Sequence, residues 1–271
     1  MATKKGIDYS DLEEMIVPVG DIPPTLVMAI YGRAGTGKTV FGSTFPKPIL
    51  FLDIRERGTE SIADVDGIDV LNVKEWEQAE KAYWYLKSGK TKYKSVVVDH
   101  LSQLQTLGMD QIRTEENMSS DDMFSKRDWG RLSGMMQTWI YNMRQLWDEK
   151  IHVGFIAHER TSEGEEGDDR IDPSVGPRVM PSVSSFLNGA VSAIGNTFIR
   201  EVDLGDKKVG TSKKEIQFCM RIGPNPIYAA KIRKPRDSGV KVPDIIVNPT
   251  FEKVFKLSRG EDIVKRKIKK R

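Results

Sequence analysis

Residues 25–39 restrict the fold of this chain more than any other segment. Thr25–Tyr31 is a short, uninterrupted apolar run, which is typical of a strand buried on both faces of a sheet. It leads into a segment with glycine at positions 32, 35 and 37, followed by Lys38 and Thr39. Because buried strands of this kind belong to sheets that helices cover, the sequence predicts an α/β fold with a mostly parallel sheet.

The spacing Gly-x4-Gly-Lys-Thr predicts a loop that binds the phosphates of ATP. Its glycines let backbone N–H groups point inward, and the helix that follows directs its positive end at the same place. Lys38 is expected to bridge the β- and γ-phosphates, and the Thr39 hydroxyl to ligate Mg²⁺. The alternative is a glycine-rich turn beside a solvent-exposed lysine. The predicted nucleotide-binding residues are Gly32, Arg33, Ala34, Gly35, Thr36, Gly37, Lys38, Thr39 and Val40.

The pattern of strand and helix continues to about residue 190. Four more strands are predicted, at Ile49–Asp53, Val70–Val73, Ser95–Asp99 and Ile151–Ala157. One helix is predicted from Trp76 to Leu86, with Gly89 at its C-terminal cap. A second helix has an apolar stripe that we interpret as core packing, formed by Trp129, Leu132, Met136, Trp139, Met143 and Leu146.

The last third of the chain changes character. Strands without helices between them are predicted at Ala193–Val202, Glu215–Ile222 and Ile227–Ile232, so the sheet is expected to gain antiparallel strands at its C-terminal side. We divide the chain into an N-terminal arm (1–24), one core (25–258) and a basic tail (259–271). The longest segment without a clear pattern, 159–185, is predicted to be a functional loop.

Composition excludes several classes of protein. The 271 residues carry a net charge of only +3, which does not by itself indicate a nucleic-acid partner, although residues 163–172 are acidic and residues 265–271 basic. A single cysteine, Cys219, excludes an internal disulfide and fits a reducing compartment. No apolar run is long enough to span a membrane, so a cytoplasmic protein without a membrane partner is expected.

Two acidic residues are candidates for the chemistry of hydrolysis. Asp99 ends a predicted strand and is expected to hold a water bound to Mg²⁺, so Thr39 and Asp99 form the predicted metal site. The alternative is that Asp99 caps the next helix. Glu56 lies three residues after Asp53, at the same sheet edge, and is the predicted base that orients water, with Glu60 as its rival.

Taken in order, these segments resemble the RecA-type ATPase core, and most closely that of phage RecA-like single-strand annealing proteins. The resemblance covers about residues 25–255. The motifs that carry it are Gly32–Thr39, Phe51–Gly58, Val96–His100, Phe155–His158 and Ala230–Pro235. It implies a RecA-like core in which ATP and Mg²⁺ are bound and ATP is hydrolysed.

The resemblance also implies roles for individual residues. Glu56 falls on the glutamate that activates water, and His158 falls on the polar residue that senses the γ-phosphate, where many members have glutamine. Lys231 and Arg233 match a pair of cations that reach the nucleotide of a neighbouring subunit. The active form is therefore expected to be a homo-oligomer, a filament or a ring, with ATP at the subunit interface. His100 and His152 are expected to be structural, and the three histidines show no zinc-ligand spacing.

Single-stranded DNA is the partner that the resemblance implies, and a single-strand-binding protein is a further candidate. Two loops, 110–128 and 160–185, fall where the family contacts DNA. The predicted DNA contacts are Lys126, Arg127, Arg160, Arg170 and Arg178. The leading hypothesis is an ATPase of phage recombination that oligomerises on DNA and promotes annealing, with hydrolysis stimulated by DNA. The alternatives are a replication accessory ATPase or helicase loader, and a small-molecule P-loop kinase.

Overall fold

The fold is built around one twisted sheet. The computed structural model describes residues 15–22, 24–161, 174–203 and 214–263. In these residues the strands are β1 (Val27–Gly32), β2 (Ile49–Ile54), β3 (Ile68–Val73), β4 (Ser95–Asp99), β5 (His152–Thr161), β6 (Val175–Pro177), β7 (Ala193–Asp203), β8 (Lys214–Arg221), β9 (Lys231–Ile232) and β10 (Ile245–Val247).

Six helices and four short 3₁₀ turns accompany the described strands. The helices are α1 (Lys38–Gly42), α2 (Trp76–Lys87), α3 (Leu101–Glu115), α4 (Lys126–Arg144), α5 (Pro181–Ala190) and α6 (Phe251–Ser258). The 3₁₀ turns are Val19–Asp21, Gly58–Ile62, Gln145–Glu149 and Arg236–Ser238. No helix among the described residues has both the length and the apolar character needed to cross a membrane.

The sheet has the order β10-β8-β7-β1-β5-β4-β2-β3, with β6 beside β5 and β9 beside β7. All neighbours from β7 to β3 run parallel, whereas β8, β10, β6 and β9 pair antiparallel. The predicted α/β fold, with a mostly parallel sheet and antiparallel additions, is therefore confirmed. The expectation was wrong about where the additions begin, because β7 is parallel to β1 and β8 is the first antiparallel strand on that side. The predicted strand Ile227–Ile232 is also shorter than expected, because only Lys231 and Ile232 form β9.

Helices cover both faces of the sheet, as predicted. Alternate residues of β1 point to opposite faces, so Val27 and Ala29 join one hydrophobic cluster and Met28 and Ile30 the other. The first cluster packs the sheet against α2, α3, α4 and α5, and the second packs it against α1 and α6. With both faces covered, the apolar run of β1 is buried along its whole length.

Several helical segments differ from the sequence prediction. Helices α2 and α4 are confirmed, and Gly89 follows α2 in the left-handed conformation (φ 68°). The predicted loop 110–128 is too long, because residues 110–115 belong to α3 and residues 126–128 to α4. The pattern-free segment 159–185 is also partly regular: β5 extends to Thr161, and β6 and the start of α5 follow residue 173. The acidic tract 163–172 lies outside the described residues.

The carboxyl ends of the parallel strands bring the candidate residues to one edge of the sheet. Gly32 of β1 lies beside His158 of β5 and Thr197 of β7. Asp53 of β2 lies beside Asp99 of β4. Because parallel strands end at a common edge, segments far apart in sequence converge there. This edge carries the candidate site.

Candidate active site

The loop between β1 and α1 is shaped by glycines and held against β7. Gly35 and Gly37 have φ angles of 76° and 82°, a left-handed conformation that favours glycine. A Cβ atom on Gly32 would lie 2.4 Å from both the carbonyl oxygen and Oγ1 of Thr197. The Thr36 and Thr197 hydroxyls are hydrogen-bonded at 2.8 Å. The loop therefore has the conformation that a phosphate cradle requires, fixed by the neighbouring strand.

Lys38 and Thr39 lie at the start of α1 with their polar atoms turned to this edge. The Lys38 ammonium donates a hydrogen bond to the carbonyl oxygen of Arg33 across the loop, at 2.8 Å. Burial lowers the pKa of Lys38, and the nearby carboxylates of Asp99 and Glu56 partly oppose that shift. Thr39 Oγ1 donates to Asp99 Oδ2 at 2.7 Å, so the two predicted metal ligands are in direct contact.

Asp99 lies at the end of β4 in a closely packed position. A Cβ atom on Gly58 would approach Asp99 Oδ2 to 3.2 Å and Thr39 Oγ1 to 3.6 Å. Burial raises the pKa of Asp99, with the Asp53 carboxylate adding to the rise and the Thr39 hydroxyl opposing it. Helix α3 is capped by His100 and not by Asp99, so the capping alternative is wrong. A hydroxyl and a carboxylate oxygen are a donor set that fits Mg²⁺.

The turn after β2 places Glu56 beside these residues. Arg55 and Arg57, on either side of it, have φ angles of 64° and 53°, which are unfavourable for residues with a side chain. The turn is held by Asp53, whose carboxylate accepts hydrogen bonds from the Arg57 N–H at 3.0 Å and from the Thr59 hydroxyl at 2.7 Å. Strained backbone that the surrounding structure maintains is concentrated at functional sites.

Three side chains contact the Glu56 carboxylate. His100 Nε2 lies 2.8 Å from Glu56 Oε2 and His158 Nε2 lies 3.5 Å from the same atom. The two imidazole rings meet edge to face with centroids 4.2 Å apart. Gln103 Nε2 donates to Glu56 Oε1 at 3.2 Å. Burial raises the pKa of Glu56, but the contacts with His100 and Gln103 outweigh burial, so its pKa lies below the usual value and the group is a carboxylate at neutral pH.

His100 has more than the structural role predicted from the sequence. It does cap α3, because its Nδ1 accepts the Gln103 N–H at 3.3 Å, but its other nitrogen faces Glu56. Glu56, His100 and His158 together offer three potential metal-ligand atoms within 4.8 Å of one another, which the sequence spacing did not reveal. Since Nδ1 of His100 accepts a hydrogen bond, the proton of the neutral ring lies on Nε2, the nitrogen a metal would need. The two histidines are therefore better suited to position the Glu56 carboxylate than to bind a metal ion with it.

Lys231 and Arg233 lie away from the phosphate loop of their own chain. Lys231 donates a hydrogen bond to the carbonyl oxygen of Asn188, and Arg233 donates to that of Gly189 at 2.7 Å, so both cap the C-terminal end of α5. Burial, with the Arg233 charge beside it, lowers the pKa of Lys231 to about 8. Arg233 lies just after β9, and both cations reach the same end of α5, while their role at a neighbouring subunit stays a prediction.

The predicted DNA contacts fall into three groups. Arg160 and Arg178 line a cleft of about 640 Å³ that also reaches Glu56 and His158. Lys126 and Arg127 lie on the exposed first turn of α4. Arg170 lies outside the described residues. Trp129 also lines the cleft and is 39% exposed, so the prediction that it packs in the core was wrong.

The error for Trp129 has a simple physical cause. Helical periodicity identifies the face that an apolar residue lies on, but not where the surface covering that face ends. Leu132, Met136 and Trp139, on the same stripe, are buried between α4 and its neighbours. Trp129 lies in the first turn, beyond that cover, and borders the cleft instead.

A protein-family model described as an AAA domain matches residues 25–234. The chain belongs to this AAA domain family. The match includes the phosphate loop, Glu56, Asp99, His158 and the pair Lys231 and Arg233. The family is one of P-loop ATPases, which bind a nucleotide and usually Mg²⁺.

Comparison with other proteins adds little detail to the AAA domain assignment. A search of curated protein sequences found no match. Among solved structures, a KaiC-like protein of Pyrococcus horikoshii is 11% identical over 83% of this chain and 90% of its own, with a TM-score of 0.41. The flagellar accessory protein FlaH of Methanocaldococcus jannaschii is 13% identical over 89% of this chain and 92% of its own, with a TM-score of 0.38. At these scores neither structure carries an argument about the activity of this AAA domain.

Proposed function

We propose that this AAA domain protein hydrolyses ATP while it is bound, as a homo-oligomer, to single-stranded DNA. The observation that supports the proposal most directly is that one cleft joins Arg160 and Arg178 to Glu56 and His158. A strand that contacts the arginines through its phosphates would lie next to the groups that act on ATP. From the resemblance to phage RecA-like proteins, the proposal includes the annealing of complementary strands during phage recombination.

The side chains are arranged for the transfer of a phosphoryl group to water. Lys38 lies in the loop that would hold the β- and γ-phosphates, and Thr39 with Asp99 would hold Mg²⁺, which neutralises charge on those phosphates when bound. The Glu56 carboxylate would accept a proton from the water whose oxygen bonds to the γ-phosphorus as the bond to ADP breaks. His158, beside Glu56 and opposite Gly32 on β5, would donate a hydrogen bond to a γ-phosphate oxygen.

Helix α3 connects the cleft to the Glu56 carboxylate. The Ser102 hydroxyl donates to the carbonyl oxygen of Arg178 at 2.6 Å, and the Met180 N–H donates to Gln105 Oε1 at 2.7 Å. Between these two residues, Gln103 donates to Glu56. A bound DNA strand that displaces the Arg178 segment would therefore displace the first turn of α3. This would change the hydrogen bond between Gln103 and Glu56. This supports hydrolysis that DNA stimulates.

The test measures DNA binding and ATP hydrolysis in the same preparation. We expect a labelled single-stranded oligonucleotide to bind more tightly with a non-hydrolysable ATP analogue than without it, and to raise the rate of phosphate release. Replacing Arg160 and Arg178 together by glutamine should weaken binding about tenfold or more and make it less sensitive to salt. Arg259→Gln, at the exposed end of α6, is the matched control and should behave as the wild type.

Two results would contradict the proposal. One is negligible binding of the oligonucleotide, equal with and without the ATP analogue. The other is ADP formation that requires a small metabolite and ignores DNA, with the γ-phosphoryl group transferred to that metabolite, which would identify a small-molecule kinase. Binding to a replication protein, with no affinity for DNA, would favour the accessory or loading role.

A further inference from the structure

We propose that Trp129 stacks on an unpaired nucleobase, so that the cleft between α3, α4 and residues 178–181 binds a base as well as phosphates. This inference rests on the proposed function, because it names the part of the DNA strand that the cleft holds. It goes beyond the arginine contacts, since phosphate contacts alone would leave an indole in the cleft without a role. Three features of the described residues support it.

The first feature is the way the indole is mounted. Trp129 meets Phe124 with ring centroids 5.3 Å apart and ring planes at 60°, and the Arg113 guanidinium lies 4.9 Å from the Phe124 centroid on the same cluster. Phe124 in turn packs against the buried core. The ring is therefore supported from behind while 39% of the residue stays exposed. A supported aromatic surface loses little conformational entropy when a flat ligand stacks on it.

The second feature is the chemistry of the cleft walls. Arg160 and Arg178 supply cations for phosphates and outnumber the one carboxylate of the lining, that of Glu56. Three uncharged polar side chains supply hydrogen-bonding groups for a base edge, those of Gln103, Gln105 and Thr106. The volume of about 640 Å³ lies within the usual range of small-ligand sites. The indole face, the cations and the polar side chains can contact the face of a base, the phosphate and the edge of the base, respectively. These three parts of a nucleotide are accessible in a single strand.

The third feature is a contrast with a second cleft. A cavity of about 350 Å³ between α2 and α4 also contains an exposed indole, that of Trp84. Its lining includes the Glu80 carboxylate and neither arginine nor lysine, so it would repel a phosphate chain. Among the described residues, the cleft at Trp129 thus combines the aromatic surface with positive charge. The two clefts therefore differ in the positive charge that binding of DNA phosphates requires.

Stacking requires a base that is not paired with a partner strand. The cleft is therefore expected to prefer single-stranded to double-stranded DNA. Removal of an aromatic residue that stacks on a base weakens binding about ten- to a hundredfold in other proteins, with little dependence on sequence. We therefore expect Trp129→Ala to lose about that much affinity for a poly(dT) oligonucleotide in anisotropy titrations. Trp129→Phe should retain most of it. Trp147→Ala is the matched control, because Trp147 is also 39% exposed but lies outside the cleft, and it should bind as the wild type.

Two further readouts separate stacking from a structural role. Binding of poly(dT) should quench tryptophan fluorescence in the wild type and in Trp147→Phe, and this quenching should disappear largely in Trp129→Phe, which still binds. An abasic oligonucleotide with the same number of phosphates should bind the wild type about ten- to a hundredfold more weakly than poly(dT) does. Trp129→Phe should keep most of that preference, whereas Trp129→Ala should lose it.

The outcomes separate this inference from the function on which it rests. If poly(dT) and the abasic strand bind the wild type equally well, the cleft holds phosphates alone, and the stacking role is wrong while the proposed function stands. Quenching that persists in Trp129→Phe would also overturn the inference. If the wild type binds neither strand, both the inference and the DNA-binding function are wrong. If Trp129→Ala folds poorly, the fluorescence quenching measured in Trp129→Phe still tests whether Trp129 stacks on a base.

Discussion

Glu56 is the residue whose substitution tests the chemistry most directly. We expect Glu56→Gln to lower the rate of phosphate release about 10²- to 10⁴-fold, because glutamine cannot accept the proton of the attacking water. Nucleotide binding should change little, since the carboxylate is not among the groups expected to hold the phosphates. The measurement is phosphate release at saturating ATP, together with titration of a fluorescent ATP analogue.

Glu60 provides the control for this substitution. It follows Glu56 closely in sequence but is exposed on the 3₁₀ turn Gly58–Ile62, so Glu60→Gln should hydrolyse ATP at close to the wild-type rate. A loss of activity in Glu60→Gln that exceeds the loss in Glu56→Gln would identify Glu60 as the base instead. Unchanged turnover in Glu56→Gln would remove the general-base role.

Among individual residues, the sequence correctly located those site residues that lie at or next to the ends of strands. Thr39 and Asp99 follow from the phosphate loop and from the end of an apolar run, and both lie where expected. The contact of His100 with Glu56 was not predicted, because it depends on how the turn after β2 folds back over the start of α3. No spacing along the chain carries that information. Trp129 was misplaced for a related reason, since burial depends on neighbouring elements.

Strands and helices were predicted to different degrees because their signals differ. The strands β1, β2 and β4 are buried along their whole length and nearly continuously apolar, whereas β3 is a mostly exposed edge strand, and the predicted positions of β1 to β5 are correct to within a few residues. Helix α3 was not delimited although Leu101, Leu104 and Leu107 have helical spacing, since residues 101–109 were assigned to no element and residues 110–115 to a loop. The orientation of β7 depends on the β1 edge it joins, which no local pattern encodes.

The contact between β5 and α6 predicts a pH-dependent stability. His152 accepts the Leu26 N–H on Nδ1 at 2.9 Å and packs against the rings of Phe251 and Phe255. None of these neighbours carries a charge, and burial lowers the pKa of His152 to about 4. Between that value and its ordinary pKa of about 6.5, the unfolded chain binds a proton that the folded chain does not. The free energy of unfolding should therefore fall by about 2–3 kcal/mol as the pH decreases through this range.

Urea denaturation at several pH values between about 4 and 7 tests this expectation. His152→Asn keeps an acceptor for the Leu26 N–H but cannot be protonated, so its stability should depend less steeply on pH. Other titratable groups, including the buried His100, account for the pH dependence of stability that remains in His152→Asn. Parallel pH profiles for the wild type and His152→Asn would show that the His152 contact is not the source of the effect.

At the scale of the whole molecule, the position of Lys231 and Arg233 decides how a complete site can form. Lys231 lies beside Ile194 on β7, whereas Gly32 lies beside Thr197, three residues further along the same strand. The separation along the strand is about 10 Å, and both cations point to the carbonyl end of α5. They are not placed to contact phosphates in the loop of their own chain. If they act on ATP, they do so from a neighbouring copy.

Mixing two inactive variants tests whether ATP is bound between protomers. Lys38→Ala should abolish nucleotide binding, and Lys231→Ala should bind ATP as a monomer but fail to hydrolyse it. In a mixed oligomer, a Lys231→Ala protomer supplies an intact phosphate loop and a Lys38→Ala neighbour supplies intact cations. Random assembly of equal amounts places such a pair at roughly a quarter of the interfaces, so the mixture should regain that share of wild-type phosphate release.

A second mixture shows whether recovery comes from the shared interface. Lys38 and Glu56 belong to the same half of the site, so Lys38→Ala mixed with Glu56→Gln leaves every interface defective and should stay inactive. If the mixture of Lys38→Ala and Lys231→Ala also stays inactive, although the variants assemble, Lys231 has no role at a neighbouring nucleotide. Its contact with α5 would then be structural, and a lower melting temperature of Lys231→Ala would be its main effect. Recovery in the first mixture alone would place the catalytic cations and the phosphate loop on different chains.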